Sequence, residues 1–309
     1  MAQRIAVLLP CRDEAATISE VVSGFRQALP GATVYVYDNG SADETARRAR
    51  EAGAVVRPEP HHGKGNVVRR MFSDIDADIY VIADGDGTYD PAAARPMIDR
   101  MLDETLDMVV ATRLEAEIGR VFRPGHRAGN VTLSGFVARL FGAEFSDILS
   151  GYRVLSRRFV KSFPALARGF EIETEMTIHA LELRMPVAEI PAPYRARPRG
   201  SASKLSTWSD GFRIVATIVF LYKEVRPFRF FGTLFGGLAL LSLALGYPVF
   251  ATYLSTGLVP RLPTAVLSTG IMLLAFISLT CGIVLDSVSR GRREAKRLRY
   301  LQLPAASNH

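Results

Sequence analysis

Apolar and polar positions follow two different patterns along the chain. Up to about residue 200, short apolar or β-branched runs (Ile5–Leu9, Thr33–Tyr37, Ala54–Arg57, Ile79–Ala83 and Asp107–Ala111) are separated by longer segments with helical spacing: Glu14–Leu29, Asp43–Glu51, Lys64–Asp74 and Pro91–Leu102. That rhythm predicts an α/β fold with a mostly parallel sheet and helices on both faces. Further on, Phe230 to Pro260 contains no charged residue, and neither does Leu262 to Leu285. Each run exceeds the ~20 residues that span a hydrocarbon core, which predicts two transmembrane helices, about 230–254 and 264–286. Pro248 and the glycines of the first run are tolerated in such helices. Just upstream, Trp208, Phe212, Val215, Val219 and Tyr222 fall at helical spacing, with Arg213 and Lys223 placed to meet lipid phosphates. This segment reads as a helix lying in the membrane interface, or as an amphipathic helix packed on the domain before it. The expected organisation is an α/β domain over 1–205, the amphipathic helix over 206–227, two spans within 228–289 and a basic tail over 290–309.

Charge placement refines this picture. The formal net charge is +7, and residues 223–309 hold ten Lys/Arg against three acids, which accounts for all of it. Cations crowded around an apolar region point to a membrane protein and away from nucleic acid. Both outer flanks of the spans are basic (Lys223, Arg226 and Arg229 before, Arg290 to Arg299 after), so both termini and the α/β domain are expected in the cytoplasm, on a multi-pass inner-membrane protein. The N-terminal apolar stretch runs straight into charges and does not read as a signal peptide. Cys11 at a strand end and Cys281 in an apolar run do not suit a disulfide, consistent with a reducing compartment.

Candidate chemistry gathers just after the strands, where ligands bind in parallel sheets. Pro10-Cys-Arg-Asp-Glu14 follows strand one, Asp38-Asn-Gly-Ser-Ala-Asp-Glu-Thr45 strand two, and Asp84-Gly-Asp-Gly-Thr-Tyr-Asp90 strand four. Asp43 as a helix cap and Asn39-Gly40 as a turn are structural readings of two of these. Asp84 and Asp86, separated by Gly85 after an apolar strand, suit a hard divalent cation that also holds a diphosphate. An EF-hand needs Gly and Glu where Tyr89 and Arg95 stand, and Gly63-Lys64 lacks the remainder of a Walker A loop. Asp-x-Asp-Gly-Thr also resembles a dehalogenase-type phosphatase motif, but no later Gly-Asp-x-x-x-Asp follows.

Eight segments in order carry a resemblance: Pro10–Glu14, Asp38–Thr45, Gly63-Lys64-Gly65, Asp84-Gly-Asp86, Thr112-Arg113, Asp147–Arg153, Phe170–Glu175 and Arg197–Leu205. Together they resemble family 2 glycosyltransferases with the GT-A fold, and among these the polyprenyl-phosphate hexose synthases. Departures from that pattern are Asp13 for Asn, Gly85 for Ala and Thr88 for Gln. The Gln-x-x-Arg-Trp motif of processive synthases is absent, so the resemblance implies single sugar transfer.

It further implies that Pro10, Arg12, Glu14, Asp38, Ser41, Lys64, Asp84 and Gly85 bind a nucleotide sugar, UDP rather than GDP, and that Asp84 and Asp86 hold Mg2+ or Mn2+. The acceptor would be a polyprenyl phosphate, an anion that needs no general base, with Arg127, Arg197, Ser203 and Lys204 at its phosphate. Arg113 and Arg153 complete the cations expected at the reacting groups, and Asp147 either orients a sugar hydroxyl or is a turn residue. Of the acids after Phe170, Glu171 is expected to face the site and Glu175 to sit on a solvated helix face. Inversion at the anomeric carbon follows from direct displacement. A nucleotide-sugar sensor with a dead site and a transferase acting on protein or lipid A are the competing functions. Gly232 and Gly236 could pack spans within one subunit or between subunits of a homo-oligomer.

Overall fold

The computed structural model describes residues 3–113, 145–167, 171–195 and 222–306, together with positions 135, 138, 139, 169, 219 and 220. Two compact units divide the chain: residues Met1–Ile214 with Lys296–His309, and residues Val215–Ala295.

The first unit opens with β1 (Ile5–Cys11), α1 (Ile18–Ala28), β2 (Thr33–Asp38), α2 (Thr45–Glu51), β3 (Val55–Pro58), α3 (Lys64–Asp74), β4 (Ile79–Ile82), α4 (Ala94–Asp103) and β5 (Met108–Arg113). These match the strands and helices expected from the hydrophobic pattern. Beyond them lie β6 (Arg153–Ser156), α5 (Arg157–Ser162), α6 (Ile172–Leu183) and β7 (Val187–Ala192), for which no strand was expected. The sheet order is β3-β2-β1-β4-β6-β5-β7. All neighbours are parallel except β6, which runs antiparallel to both β4 and β5. The sheet is therefore mixed only at β6.

Period-two alternation distributes the strand residues between two cores. Ala6, Leu8, Tyr80 and Ile82 pack on one face against Val68, Met71 and Phe72 of α3, Phe159 of α5 and Met176 of α6. Val7, Leu9, Ile79 and Val81 pack on the other against Val22 and Phe25 of α1 and Met97 and Met101 of α4. Burial on both faces explains why these strands read as continuous apolar runs.

His179 of α6 lies inside the first core, 1% exposed, edge-on to the Phe159 ring and near that of Phe163. Its Nε2 lies 3.0 Å from Ser162 Oγ, and its Nδ1 has no partner. Burial, aided by the Lys296 charge, pulls its pKa down to about 3. The folded state thus refuses a proton that the unfolded chain accepts below about pH 6.5, so stability is lost as the pH falls through that value. Chemical denaturation should find the first unit about 2 kcal/mol less stable at pH 5 than at pH 7 from this group, and His179→Gln should remove that share of the acid sensitivity.

The second unit is built on two long helices, α7 (Pro227–Thr256) and α8 (Leu262–Leu301), with mean hydropathies of 1.8 and 2.2 in their most apolar windows. Both are long and apolar enough to cross a membrane, and large side chains such as Leu240 and Leu254 lie about 70% exposed on them. Ser242 Oγ donates to Ser268 O at 2.7 Å and Ser278 Oγ to Phe231 O at 3.1 Å, joining the helices by polar bonds of the kind used between spans. Helix α8 does not stop at residue 286. It runs on through the basic segment, whose Arg, Lys, Glu, Ala and Leu are strong helix formers, so the expected tail is helical to Leu301.

Candidate active site

The carboxyl ends of β1, β2, β4 and β5 lie along one sheet edge, and the reversed β6 brings the 147–151 loop to the same edge. At the end of β1 the chain turns through Asp13, whose φ of +52° is a left-handed conformation that Asp adopts more readily than most residues. Asp13 Oδ1 accepts from Ala42 N at 2.8 Å while its own N–H donates to Ser41 Oγ at 2.9 Å, stitching the β1 and β2 loops together. The Asp at this departure therefore does local work open to Asn as well. Ser41 N–H lies 3.3 Å from Asp38 Oδ2, and Asp38 Oδ1 is buried without a hydrogen-bond partner. Arg12 is exposed beside Asp13, Pro10 is buried within the strand, and Glu14 receives an edge position next to Cys11 and Gly85. Asn39 is structural: its amide donates to Glu59 O and His61 O and accepts from Gly63 N–H.

After β4, Asp84 is partly exposed and Asp86 is 2% exposed. Asp86 Oδ1 accepts from Thr88 N at 3.1 Å and Thr88 Oγ1 at 2.6 Å, so Thr88 braces the second carboxylate. A Cβ on Gly85 would lie 2.3 Å from Glu14 Oε2 and 2.4 Å from Cys11 Sγ, so these side-chain ends would have to shift to admit one.

Lys64, the first residue of α3, reaches Asp84 and lies 2.6 Å from Glu173 Oε1. Burial disfavours its ammonium, but the two carboxylates outweigh that and hold its pKa above the usual lysine range. Glu173 is 4% exposed; burial pushes its pKa up, and Lys64 counters the shift. Its second oxygen has no hydrogen-bond partner. A Cβ on Gly151 would fall 2.7 Å from Asp84 Oδ2 and 3.0 Å from Lys64 Nζ, so the bare glycine leaves this cluster its room.

Arg113, at the end of β5, forms a two-bond pair with Asp147, both at 2.6 Å, and its guanidinium lies 5.5 Å from the Tyr194 ring centroid. Burial opposes the guanidinium charge and Asp147 more than restores it. Asp147 is thus the anchor of Arg113 rather than a plain turn residue, and Glu189 in turn accepts from Ser146 N and Asp147 N. Tyr89 and Tyr194, which carried no signal in the pattern, pack edge-on beside this pair with ring centroids 5.2 Å apart.

Three expectations are corrected. Arg153 does not stand among the edge cations: it is wholly buried and donates to Ser150 O, Ile148 O and Thr177 Oγ1, bracing the loop from below. Desolvation lowers its pKa to about 10. Glu171 is exposed at the start of α6, whereas Glu173 points inward; the segment is helical from Ile172, so alternation by twos does not apply. Glu175 is also not a solvated side chain, since it accepts from Leu166 N at 3.0 Å and Ala167 N at 2.8 Å. Arg127, Arg197, Ser203, Lys204, Trp208, Phe212, Arg213 and Val215 lie outside the described residues.

The donor chemistry of the edge fits a divalent ion. Asp84 and Asp86 are two hard carboxylates on one short loop, and one already attracts an ammonium. Among the described residues no third His, Cys, Asp or Glu joins them, so phosphate oxygens and water would complete the coordination of Mg2+ or Mn2+, as is usual for such ions.

Comparison with known proteins agrees with this geometry. Glycosyltransferase AglJ of Haloferax volcanii is 32% identical, with 96% of this chain and 98% of the relative covered. A dolichyl-phosphate hexose transferase of the same organism is 27% identical over 72% of this chain and 95% of its own. Among solved structures, glucosyl-3-phosphoglycerate synthase from Mycobacterium tuberculosis, in complex with Mn2+, UDP and phosphoglyceric acid, superposes with a TM-score of 0.55 at 25% identity, covering 72% of this chain and 78% of that one. Residues 6–163 match the profile of Glycosyl transferase family 2, and with a relative aligned over nearly the whole length the chain belongs to that family.

Proposed function

We propose that the chain transfers one hexose from a nucleotide diphosphate sugar, UDP-linked rather than GDP-linked, to a polyprenyl phosphate at the cytoplasmic face of a membrane. The observation that carries this reading is the Asp84/Asp86 carboxylate pair beside Lys64 on the ligand-binding edge of a chain that also holds two membrane-length apolar helices. A relative acting on dolichyl phosphate supports the acceptor class, and a structural neighbour holding Mn2+ and UDP supports the donor and the metal.

Asp84 and Asp86 would hold the metal, whose contribution is to offset negative charge on the departing diphosphate. Lys64 adds a point charge at the same end of the donor, steered by Glu173. Arg12, Glu14, Asp38 and Ser41 line the edge where the nucleoside would lie. Arg113, fixed in plane by Asp147 at the end of β5, is proposed to stand near the reacting groups, and Arg127, Arg197, Ser203 and Lys204 are proposed for the acceptor phosphate. A phosphate oxygen then bonds to the anomeric carbon as the bond from that carbon to the diphosphate oxygen breaks. The acceptor is already ionised, so no base has to take a proton. The basic flanks of both spans favour cytoplasmic termini.

The test is a reconstituted assay with a panel of nucleotide sugars and polyprenyl phosphate, read by mass spectrometry and NMR. The expected product is a singly glycosylated lipid phosphate with β configuration from an α-linked donor. Retained configuration would remove direct displacement, and transfer only to protein or lipid A would remove the acceptor.

A further inference from the structure

Past its apolar part, α8 carries a second pattern. Arg293, Lys296 and Tyr300 are partly buried while Arg292, Glu294, Arg297 and Arg299 are exposed, a three-and-four spacing that marks one covered face. From Lys296 onward the helix belongs to the catalytic unit. Lys296 Nζ lies 3.1 Å from Glu182 Oε2 at the end of α6. Tyr300 Oη donates to Asp107 Oδ2 at 2.8 Å across 193 positions of sequence. Asp107 is wholly buried; its other oxygen accepts from Ser156 Oγ at 2.6 Å and pairs with Arg158, whose guanidinium sits 4.8 Å from the Tyr300 ring centroid. A buried carboxylate with three partners is a costly site to open, because each lost partner leaves a charge poorly satisfied. Asp107 directly precedes β5, and Arg113 ends that strand at the active edge.

We infer that Lys296 and Tyr300 form a positioning clip that makes the helical continuation of the second span a fixed part of the catalytic unit, so that this unit is tied to the bilayer through both of its chain connections. A site tethered on one side only explores more orientations, and each lost tether lowers the effective concentration of a membrane-bound partner. The clip sits at the opposite end of β5 from Arg113. This inference rests on the reading of the acceptor as a lipid-borne phosphate.

The full chain in liposomes tests it with two acceptors, undecaprenyl phosphate in the bilayer and water-soluble geranyl phosphate. In the double variant Lys296→Ala/Tyr300→Ala, the apparent KM for the bilayer acceptor should rise on the order of tenfold. The KM for the nucleotide sugar and the rate with geranyl phosphate should stay as in the parent. Tyr300→Phe, which keeps Lys296 and the ring beside Arg158 but gives up the bond to Asp107, should show an intermediate rise. An equal loss with both acceptors, or no change with either, overturns the clip. Should the parent protein glycosylate neither acceptor, the acceptor reading falls, and hydrogen exchange decides the clip separately. Faster exchange at residues 105–108 and 296–303 of the double variant supports it, and unchanged exchange there refutes it.

Discussion

Asp86→Asn is expected to yield a folded protein whose turnover has fallen by about 10³-fold or more, the equivalent of roughly 4 kcal/mol of lost transition-state stabilisation. The choice of Asn separates charge from architecture. Asp86 Oδ1 holds Thr88 through its N–H and its hydroxyl, and an amide oxygen can take over both bonds. Asp86→Ala cannot, and should disturb the loop as well as the charge. The melting temperature of Asp86→Asn should therefore match the parent, while Mn2+ no longer strengthens binding of uridine diphosphate in a calorimetric titration. Undiminished turnover of Asp86→Asn in the presence of EDTA would sink the metal role of this loop. Asp84→Asn should behave differently, because it also removes half of the neutralising charge around Lys64.

Much of this site is legible without coordinates, for a physical reason. In a parallel sheet, strand ends and ligand edge coincide, so a polar residue directly after an apolar run already has an address. That rule places Arg12, Asp38, Asp84 and Asp86 together from sequences up to 74 positions apart. It fails where the local period is misjudged. Phe170-Glu-Ile-Glu-Thr-Glu175 alternates like a strand, yet α6 begins at Ile172, and helical rotation turns Glu173 inward with Ile172 and Met176. Composition also misplaces Arg153. An arginine in a polar loop motif suggests a phosphate ligand, but the residue opens β6, whose inward face is core, and three carbonyl or hydroxyl acceptors are built around it. β6 and β7 escape notice because one is only four residues long and the other carries Glu189 and Pro191. The partners of Tyr300 are legible in no window, since a hydrogen bond closed across 193 positions leaves no local period.

Lys64→Met should cost both stability and activity, and the two losses can be parted. The substitution leaves Asp84 and the buried Glu173 facing each other without their cation. Breaking a buried pair from one side typically costs about 3–5 kcal/mol, because the stranded charge must be hydrated or take up a proton. Thermal or chemical denaturation should register that loss in the catalytic unit. Adding Glu173→Gln removes the stranded charge, while Asp84 is solvated enough to stand alone. The double variant Lys64→Met/Glu173→Gln should accordingly regain most of the lost stability. Its turnover should stay at least ~10²-fold down, since no ammonium remains near the diphosphate. Lys64→Arg should fold, keep the positive charge and recover part of the donor affinity, limited by the space beside Gly151. If the stabilised double variant turned over donor at the parental rate, Lys64 would be a structural counterion to Glu173 and nothing more, and the point charge assigned to the donor end would have to come from Arg113 instead.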